Sequence, residues 1–354
     1  MKRSIIAALM VASLFFVLPG TQAKQFRKPP SQVVEWPLPW ASGVSLDYDQ
    51  SSERVVEVKG VGSRVTSSEV TRIAILREEK SGFVQGWTTL AVLDHSGDES
   101  SDERRLRSEI EEAFGKTTLE VSLARDGTYA GIANMEELQR RFKALAVKWR
   151  DAARARSGPG KETAEARALR ERLFSAYTSG PVLETQLSIL PQAYNFVAGG
   201  GLGLDYEYKY EDEGANPFGG EAFPMTGRMS LSRDPLHEGW MMLEWTVGVD
   251  RERGGEVLAA TVRKLMGTQA AQGEDKPGQP TLEQATGNID IGSSTRFRID
   301  PATGIVQWMQ TVQRRRVGQR NEVLTTTLQL RKGKFVSPAA GTAVAEETAS
   351  VPRP

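Results

Sequence analysis

GLGLDYEYKYE, residues 201–211, alternates apolar or aromatic side chains with charged or small ones. Successive side chains of a β-strand point to opposite faces, so one face of this stretch carries Leu202, Leu204, Tyr206, Tyr208 and Tyr210. Such alternation predicts one half-buried strand with an apolar face and a solvated face. The prediction of the fold class begins with this strand.

The same period of two residues recurs on both sides of the chain's middle. It is clearest over residues 241–249, and shorter segments lie at 69–77, 86–93, 118–125, 226–232 and 324–330. Asp126-Gly127 supplies turn residues between two such segments, and Asp300-Pro301 with Gly304 does so later in the chain. Both patterns predict β-hairpins, and hence antiparallel pairing.

The middle of the chain has a helical period instead. Asn134 followed by Glu137 has the spacing of a capping box, and apolar residues then recur every three or four positions as far as Trp149. A second helix is predicted over 161–178, and a short one over 183–190, before Pro191. A further helix is predicted at 256–266, between strands.

Hairpin-linked strands and grouped helices predict an α+β protein. We expect a curved antiparallel sheet, resembling a half-barrel, with the helical segment 134–190 packed on one face. Residues 24–335 are predicted to form this single domain, with a flexible loop at 267–286. The stretch 336–354 is rich in Ala, Thr, Glu and Pro and predicts a disordered tail.

The first 23 residues predict a secretory signal peptide. Lys2 and Arg3 precede an apolar run that ends at Leu18, and small residues lead up to a cleavage site near Ala23. The run is too short for a stable membrane anchor. We therefore expect a soluble periplasmic or secreted protein whose mature chain has no transmembrane segment.

Composition excludes several classes of function. Lys plus Arg and Asp plus Glu number 45 each, so there is no basic excess of the kind that nucleic-acid partners require. The chain has no cysteine, which excludes disulfides and thiol chemistry.

No motif predicts a catalytic residue, a metal site or a cofactor. The two histidines, His95 and His237, lack metal-ligand spacing to each other. The segment 115–117, GKT, follows a helix and precedes a strand, which is the reverse of a phosphate loop. The arginines at 314–316 and Arg320 form a basic cluster, interpreted as a solvated strand edge in preference to an anion site. Paired carboxylates can act without any motif, so a hydrolase of that kind stays open.

Aromatic and methionine side chains give the sharper hypothesis. They could line an apolar cavity between the sheet and its helices, which would suit a lipid or acyl chain. An ordinary sheet core is the other interpretation of the same residues. The candidate lining residues are Tyr206, Tyr208, Tyr210, Trp240, Trp245, Trp308, Met241 and Met242.

Two segments carry a resemblance to known proteins. SLARDGTYAGIANMEEL at 122–138 and FRIDPATGIVQWM at 297–309 resemble segments of a group of uncharacterised exported bacterial α+β proteins. At one remove, the expected curved sheet with helices on its concave face is similar to the LolA-like periplasmic lipoprotein carriers. That resemblance implies an apolar half-barrel that holds acyl chains, and it implies no individual functional residue.

Three functions follow as hypotheses. The first is a non-enzymatic envelope protein that binds or carries an apolar ligand between sheet and helices. The second is a structural or protein-interaction module of the cell envelope, whose partner is an envelope protein. The third is a hydrolase that uses two carboxylates across a cleft.

Overall fold

The computed structural model describes residues 32–58, 60–99, 101–115, 117–157, 164–266, 289–336 and 344–347. Its helices are α1 (Ser101–Phe114), α2 (Met135–Ser157), α3 (Ala164–Tyr177), α4 (Gly180–Asn195) and α5 (Arg251–Met266). Its strands are β1 (Val33–Trp36), β2 (Ser45–Val58), β3 (Val61–Glu79), β4 (Gly82–Gly97), β5 (Leu119–Ala124), β6 (Tyr129–Ile132), β7 (Gly200–Gly203), β8 (Glu207–Gly214), β9 (Phe223–Arg233), β10 (Met241–Val249), β11 (Ile289–Ile299), β12 (Val306–Val317), β13 (Arg320–Val336) and β14 (Val344–Glu347).

Twelve of these strands form one large antiparallel sheet. Its order is β6-β5-β4-β3-β2-β13-β12-β11-β10-β9-β8, with β14 paired to the end of β13. The pairing of β2 with β13 joins strands from the two ends of the chain. The sheet is curved and not closed into a barrel. The prediction of a large curved antiparallel sheet with a few helices is therefore confirmed.

The local strand predictions hold where the alternation is regular. The stretch 241–249 is β10. Both predicted hairpins form, because β5 pairs with β6 and β11 pairs with β12. The shorter predicted segments lie within or overlap β3, β4, β5, β9 and β13, most of which extend well beyond them.

The single strand predicted at 201–211 is wrong. The structure divides it into β7 and β8, which are separated at Asp205, where φ is 55°. β7 pairs with β1, whereas β8 pairs with β9, so the chain changes partner between them. The backbone N–H of Gly203 donates to the Tyr208 hydroxyl at 3.0 Å across this turn. Alternation reports a strand's faces but not its partners, so it could not reveal the break.

Two residues that the sequence assigns to helix ends, Asn134 and Pro191, have other roles in the structure. α2 begins directly after Asn134, but that side chain bonds to β5, accepting from the N–H of Glu120 and donating to the carbonyl of Thr118. It therefore ties α2 to the sheet instead of capping it. Pro191 does not end the third helix, because α4 continues through it to Asn195.

Several predicted segments fall on residues that the structure does not describe. The signal peptide at 1–23 and the loop at 267–286 lie outside the described residues, as does most of the tail at 336–354. Within that tail, Val344–Glu347 form β14 against the end of β13.

Helix α4 is held against one face of the sheet by buried aromatic residues. We call this the inner face; it carries Tyr48, Trp245 and Met309, and the opposite one is the outer face. The Tyr194 ring of α4 packs edge-on to Tyr48 and Trp87, with ring centroids 5.7 Å and 5.4 Å apart. The apolar core runs from this contact along β10 and β11 to Val249 and Ile289, where α5 packs on the same face.

Candidate functional site

The inner face changes character along the central strands. Near the β11–β12 turn, the row formed by Phe297, Met309 and Leu328 is apolar and completely buried. The next row is Thr295, Thr311 and Thr326, each less than a tenth exposed. The hydroxyls of Thr295 and Thr311 lie 3.1 Å apart and share a hydrogen bond. Along β12 and β13 the face therefore turns polar away from that turn, whereas β10 and β11 continue with buried Val247 and Ile291.

The last rows of that face carry charge. We call Arg54, Arg315 and Arg320, grouped around Glu322, the arginine cluster. Arg54 donates to one carboxylate oxygen of Glu322 at 2.9 Å, and Arg320 donates to the other at 3.0 Å. Arg315 stands directly opposite Glu322 in the register of β12 and β13. Three guanidinium groups thus surround one carboxylate.

Burial shapes the ionisation of this cluster. Burial lowers the pKa of Arg315; the charge of Glu322 opposes this shift, and the charges of Arg54 and Arg320 add to it. Burial alone would raise the pKa of Glu322, but the hydrogen bond and charge of Arg54, with Arg320 and Arg315, hold that pKa below its usual value. Glu322 is therefore ionised, and its three arginine neighbours leave the cluster with a net positive charge.

An open groove of about 2400 Å³ lies where β10 leads into α5. Its lining comes from both faces of the sheet. The inner-face members are Tyr210, Asp212, Met225, Gly227, Val247, Val249, Ile291 and Ser293, of which Met225, Val247, Val249, Ile291 and Ser293 are only 2–6% exposed. The exposed lining is mostly charged: it includes Lys209, Glu211, Arg228 and Arg314 on the outer face, and Arg251 and Glu252 at the start of α5. Burial raises the pKa of Asp212. The groove thus has a mostly charged surface, with Tyr210 on one side.

A hydrogen-bonded aromatic group forms one wall of this groove. The Trp245 indole N–H donates to the Tyr210 hydroxyl at 2.7 Å, and the Trp245 ring stacks on Phe196 with centroids 4.0 Å apart. The Tyr210 ring lies over Gly227, where an added Cβ would be 2.2 Å from a ring carbon. Glycine at this position allows the ring to lie flat against β9.

The structure divides the eight predicted lining residues between the two faces of the sheet. Of these eight, Tyr210 lines the groove. Tyr208, Trp245 and Met241 share its face of the sheet, and Tyr206 lies just before β8 with its ring 4.7 Å from that of Tyr208. The remaining three, Trp240, Trp308 and Met242, do not join this group.

Those three belong to the outer face. The Asp234 carboxylate is fully buried there, 3.1 Å from His237 Nδ1 and 3.2 Å from Arg298. Trp240 stacks on the His237 ring, and the Arg298 guanidinium lies over Trp308. Met242 is paired with Arg298 across β10 and β11. This group holds the turn before β10 against the sheet.

Apolar side chains are exposed in the second half of β4. We call Leu90, Val92 and Leu93 the β4 tip; they are 44%, 60% and 58% exposed. Val61, at the start of the neighbouring β3, is 76% exposed. Exposed apolar groups of this kind are typical of protein-interaction surfaces.

Comparison with protein-family models finds no match, and comparison with curated proteins finds none either. Within the described part of the chain, no group of three or more acidic or histidine side chains is arranged to hold a metal ion. Over the same residues, no helix is both long enough and apolar enough to cross a bilayer.

Sequence reasoning missed the polar half of the inner face. The interpretation of Arg314, Arg315 and Arg316 as a strand edge is wrong, because β12 lies between β11 and β13. Alternation turns Arg315 inward and its two neighbours outward. The period itself was a usable signal, but it becomes informative only when the inner face of β12 is known.

Proposed function

We propose that this is a non-enzymatic, exported binding or carrier protein that holds an apolar chain against the inner face of its sheet. In this proposal the sheet acts as a half-barrel, and the helices cover its concave side. The signal peptide predicted at 1–23 would deliver it to the periplasm or the medium.

The groove is the observation that carries the proposal. Its volume of about 2400 Å³ exceeds that of usual small-molecule sites, which occupy about 300–1,000 Å³, so a long chain fits. Tyr210, which is half-buried, gives the groove an aromatic wall. Met225, Val247, Val249 and Ile291 also border it, but they are 2–6% exposed and support it from the core. A flexible alkyl chain gains by leaving water for such a surface.

The β4 tip supports a second candidate, a protein-interaction module of the envelope. Its three exposed apolar side chains lie on the far half of β4, beyond the part of that strand that pairs with β5. A partner protein would cover them. This function predicts no binding of small apolar ligands to the groove.

Binding of dodecan-1-ol, a neutral alkyl probe, separates the two candidates. We expect saturable one-to-one binding, followed by Trp fluorescence and by native mass spectrometry of the exported protein. Tyr210→Ala should weaken it about tenfold, because a groove wall is lost. The matched control is Tyr206→Ala, which removes a half-buried tyrosine outside the groove lining.

The proposal is wrong if the wild type binds no dodecan-1-ol, or if Tyr210→Ala binds it as tightly as Tyr206→Ala does. Far-UV circular dichroism and the melting temperature check that each variant is folded. A stoichiometric lipid adduct on the protein as purified from the envelope would support the proposal and identify the natural chain.

A further inference from the structure

We infer that the end of the sheet formed by the β2–β3 and β12–β13 turns docks on an anionic lipid surface. We call this end the hairpin rim; its exposed residues are Val55, Val61, Arg64, Arg314 and Arg316. Of these five, Arg314 also borders the groove. The rim is therefore a surface distinct from the proposed ligand site, and it concerns where the protein docks and not what it carries.

Strand register brings the two turns side by side. Val58 and Val61 close the β2–β3 turn, and Val317 and Arg320 close the β12–β13 turn. Arg320 is the cross-strand partner of Val58, so the two turns reach the same level at the end of the sheet. Four neighbouring strands about 4.8 Å apart make the rim roughly 15 Å wide.

Apolar side chains are exposed at the rim and lie between cations. Val61, which begins β3, is 76% exposed. On the outer face, Val55 is 36% exposed and is the cross-strand partner of the half-buried Val323. Arg314 pairs with Val323 on one side, and Arg64 pairs with Val55 on the other. One row across four strands thus places two valines between two arginines.

The four strands carry an excess of positive charge near the rim. In a chain that is neutral overall, six arginines and three glutamates fall within residues 53–58, 61–65, 313–317 and 320–324. Glu322 is buried, and Glu53 is paired with Arg64 at 2.9 Å. Within these segments, which the structure describes in full, Glu57 is the one carboxylate outside an ion pair. The exposed charge of the rim is therefore mainly cationic.

Two of these arginines are available to a partner. Arg314 and Arg316 are exposed on the outer face, and neither forms an ion pair with a described residue. Asp290 is the cross-strand neighbour of Arg316, but its carboxylate is paired with Arg251 at 3.2 Å. Both guanidinium groups can therefore reach the phosphate groups of lipids.

Acidic residues near the rim lie behind it. Asp98 and Glu99 follow β4, whose last residue, Gly97, is the cross-strand partner of Val65. Val65 is four residues from Val61, or about 13 Å along β3. Charges more than about 8 Å apart are largely screened at physiological salt. A surface that touches the turns therefore meets the arginines before these carboxylates.

A narrow rim of turns suits a lipid surface better than a folded partner. A protein interface of usual size buries about 800 Å² on each side, which needs a broad complementary patch. A lipid headgroup layer deforms around a turn, and valine side chains gain by leaving water for it. Each Lys or Arg near an anionic leaflet strengthens binding about fivefold. The export predicted from residues 1–23 would bring the rim to such a membrane.

Co-sedimentation with lipid vesicles tests the inference. The protein is mixed with vesicles of pure phosphatidylcholine, or of phosphatidylcholine and phosphatidylglycerol in equal amounts. We expect at least about tenfold tighter binding to the anionic vesicles. This preference should disappear as the salt rises from about 0.1 M to about 1 M, because the screening length falls from about 10 Å to about 3 Å.

Two variants, on different hairpins, locate the contact. Arg316→Gln should weaken binding to the anionic vesicles about fivefold. Val61→Ser should weaken it about threefold, since an apolar side chain no longer enters the headgroup layer. Melting temperatures check folding, and a defect in one variant leaves the other to decide the result.

The matched controls lie at the opposite end of the sheet, where β9 ends. Arg233 is exposed there and Leu236 is 70% exposed. Arg233→Gln and Leu236→Ser should keep vesicle binding within about twofold of wild type, because charges far from the lipid are screened. None of the four substituted residues lines the groove, so dodecan-1-ol binding should be unchanged in all four variants. The rim and the groove are thus judged separately.

Three results with vesicles would overturn the inference. They are no binding to either kind of vesicle, equal binding to both, and an effect of Arg233→Gln as large as that of Arg316→Gln, which would mean that net charge alone decides. Soluble poly-L-glutamate tests an acidic protein as the other occupant. If Arg316→Gln and Val61→Ser weaken binding to it and leave vesicle binding unchanged, the rim binds an acidic protein and the lipid assignment is wrong.

Discussion

The hydroxyls of Tyr48 and Tyr194 lie 2.7 Å apart in the core, and Tyr48 also donates to the carbonyl of Val306 at 2.7 Å. Since Tyr48 has one proton to give, Tyr194 is the donor between the two hydroxyls. One chain of hydrogen bonds thus joins α4, β2 and β12. Both rings are fully or almost fully buried, so the chain is shielded from water.

Removing either hydroxyl should destabilise the protein, by different amounts. Tyr194→Phe removes one hydrogen bond and leaves Tyr48 still bonded to Val306, so we expect a loss of about 1 kcal/mol. Tyr48→Phe deprives the Val306 carbonyl of a donor and Tyr194 of its acceptor, so we expect about 2 kcal/mol or more. Urea unfolding of the wild type, Tyr194→Phe and Tyr48→Phe measures both losses in the free energy of unfolding. Equal losses would contradict this order of donors.

The same pair predicts sensitivity to alkali. Burial raises the pKa of Tyr48 and of Tyr194 above the usual value of about 10. The folded state therefore holds these protons more tightly than the unfolded chain, so the free energy of unfolding falls as the pH rises above about 10. Urea midpoints between about pH 8 and pH 11 should fall less steeply for Tyr194→Phe than for wild type. Identical slopes would exclude this source of alkaline instability.

Glu69 should reduce stability at neutral pH. Burial raises the pKa of Glu69, although Thr89 and Thr71 donate hydrogen bonds that oppose the shift. Its folded-state pKa is raised, so its stabilising contribution is present below about pH 4 and is lost as the pH rises through that pKa. Glu69→Gln mimics the protonated acid. We expect a higher melting temperature at pH 7 and no difference at about pH 3.

The exposed Glu57→Gln serves as the comparison for that variant, because it removes a carboxylate from the neighbouring strand β2 without changing a buried group. A gain of the same size in Glu57→Gln would mean that the effect comes from net charge and not from burial.

Gly227 should tolerate no side chain under Tyr210. In Gly227→Ala the new Cβ would lie 2.2 Å from a carbon of the Tyr210 ring, which must move away. We expect a loss of about 1–3 kcal/mol, typical of overpacking, together with altered Trp245 fluorescence as the hydrogen bond to Tyr210 weakens. Gly62→Ala is the control in a strand, since its Cβ meets no atom closer than 3.9 Å. Similar losses in both variants would contradict the packing argument.

The accuracy of the sequence predictions depends on how local their physical cause is. β10 was predicted with its observed ends, because Leu243, Trp245 and Val247 alternate with polar or small residues over its whole length. β2 was not predicted, since its inner face changes from Leu46 and Tyr48 to polar Gln50 and Ser52 within one strand. A strand that faces a polar interior shows no apolar period, so periodicity cannot detect it.

The candidate site was only partly foreseen for the same reason. The sequence predicts that Tyr210 and Trp245 belong to one aromatic group, and in the structure the two side chains are hydrogen-bonded to each other. It also marked Trp240 and Trp308, which lie on the outer face with Arg298. Residue type identifies an aromatic side chain, but the face that it occupies depends on the strand's register.

By itself, the sequence determined the antiparallel hairpins, the start of the helical middle and the balance of charge, because turn residues, apolar period and composition act over a few neighbouring residues. Only the tertiary structure decided that Arg54 would meet Glu322, 268 positions away, and that Arg315 would lie opposite Ile291. Those contacts depend on the pairing of β2 with β13 and of β11 with β12. Strand pairing depends on burying the whole inner face in one arrangement. A pattern of a few neighbouring residues holds no information about that arrangement.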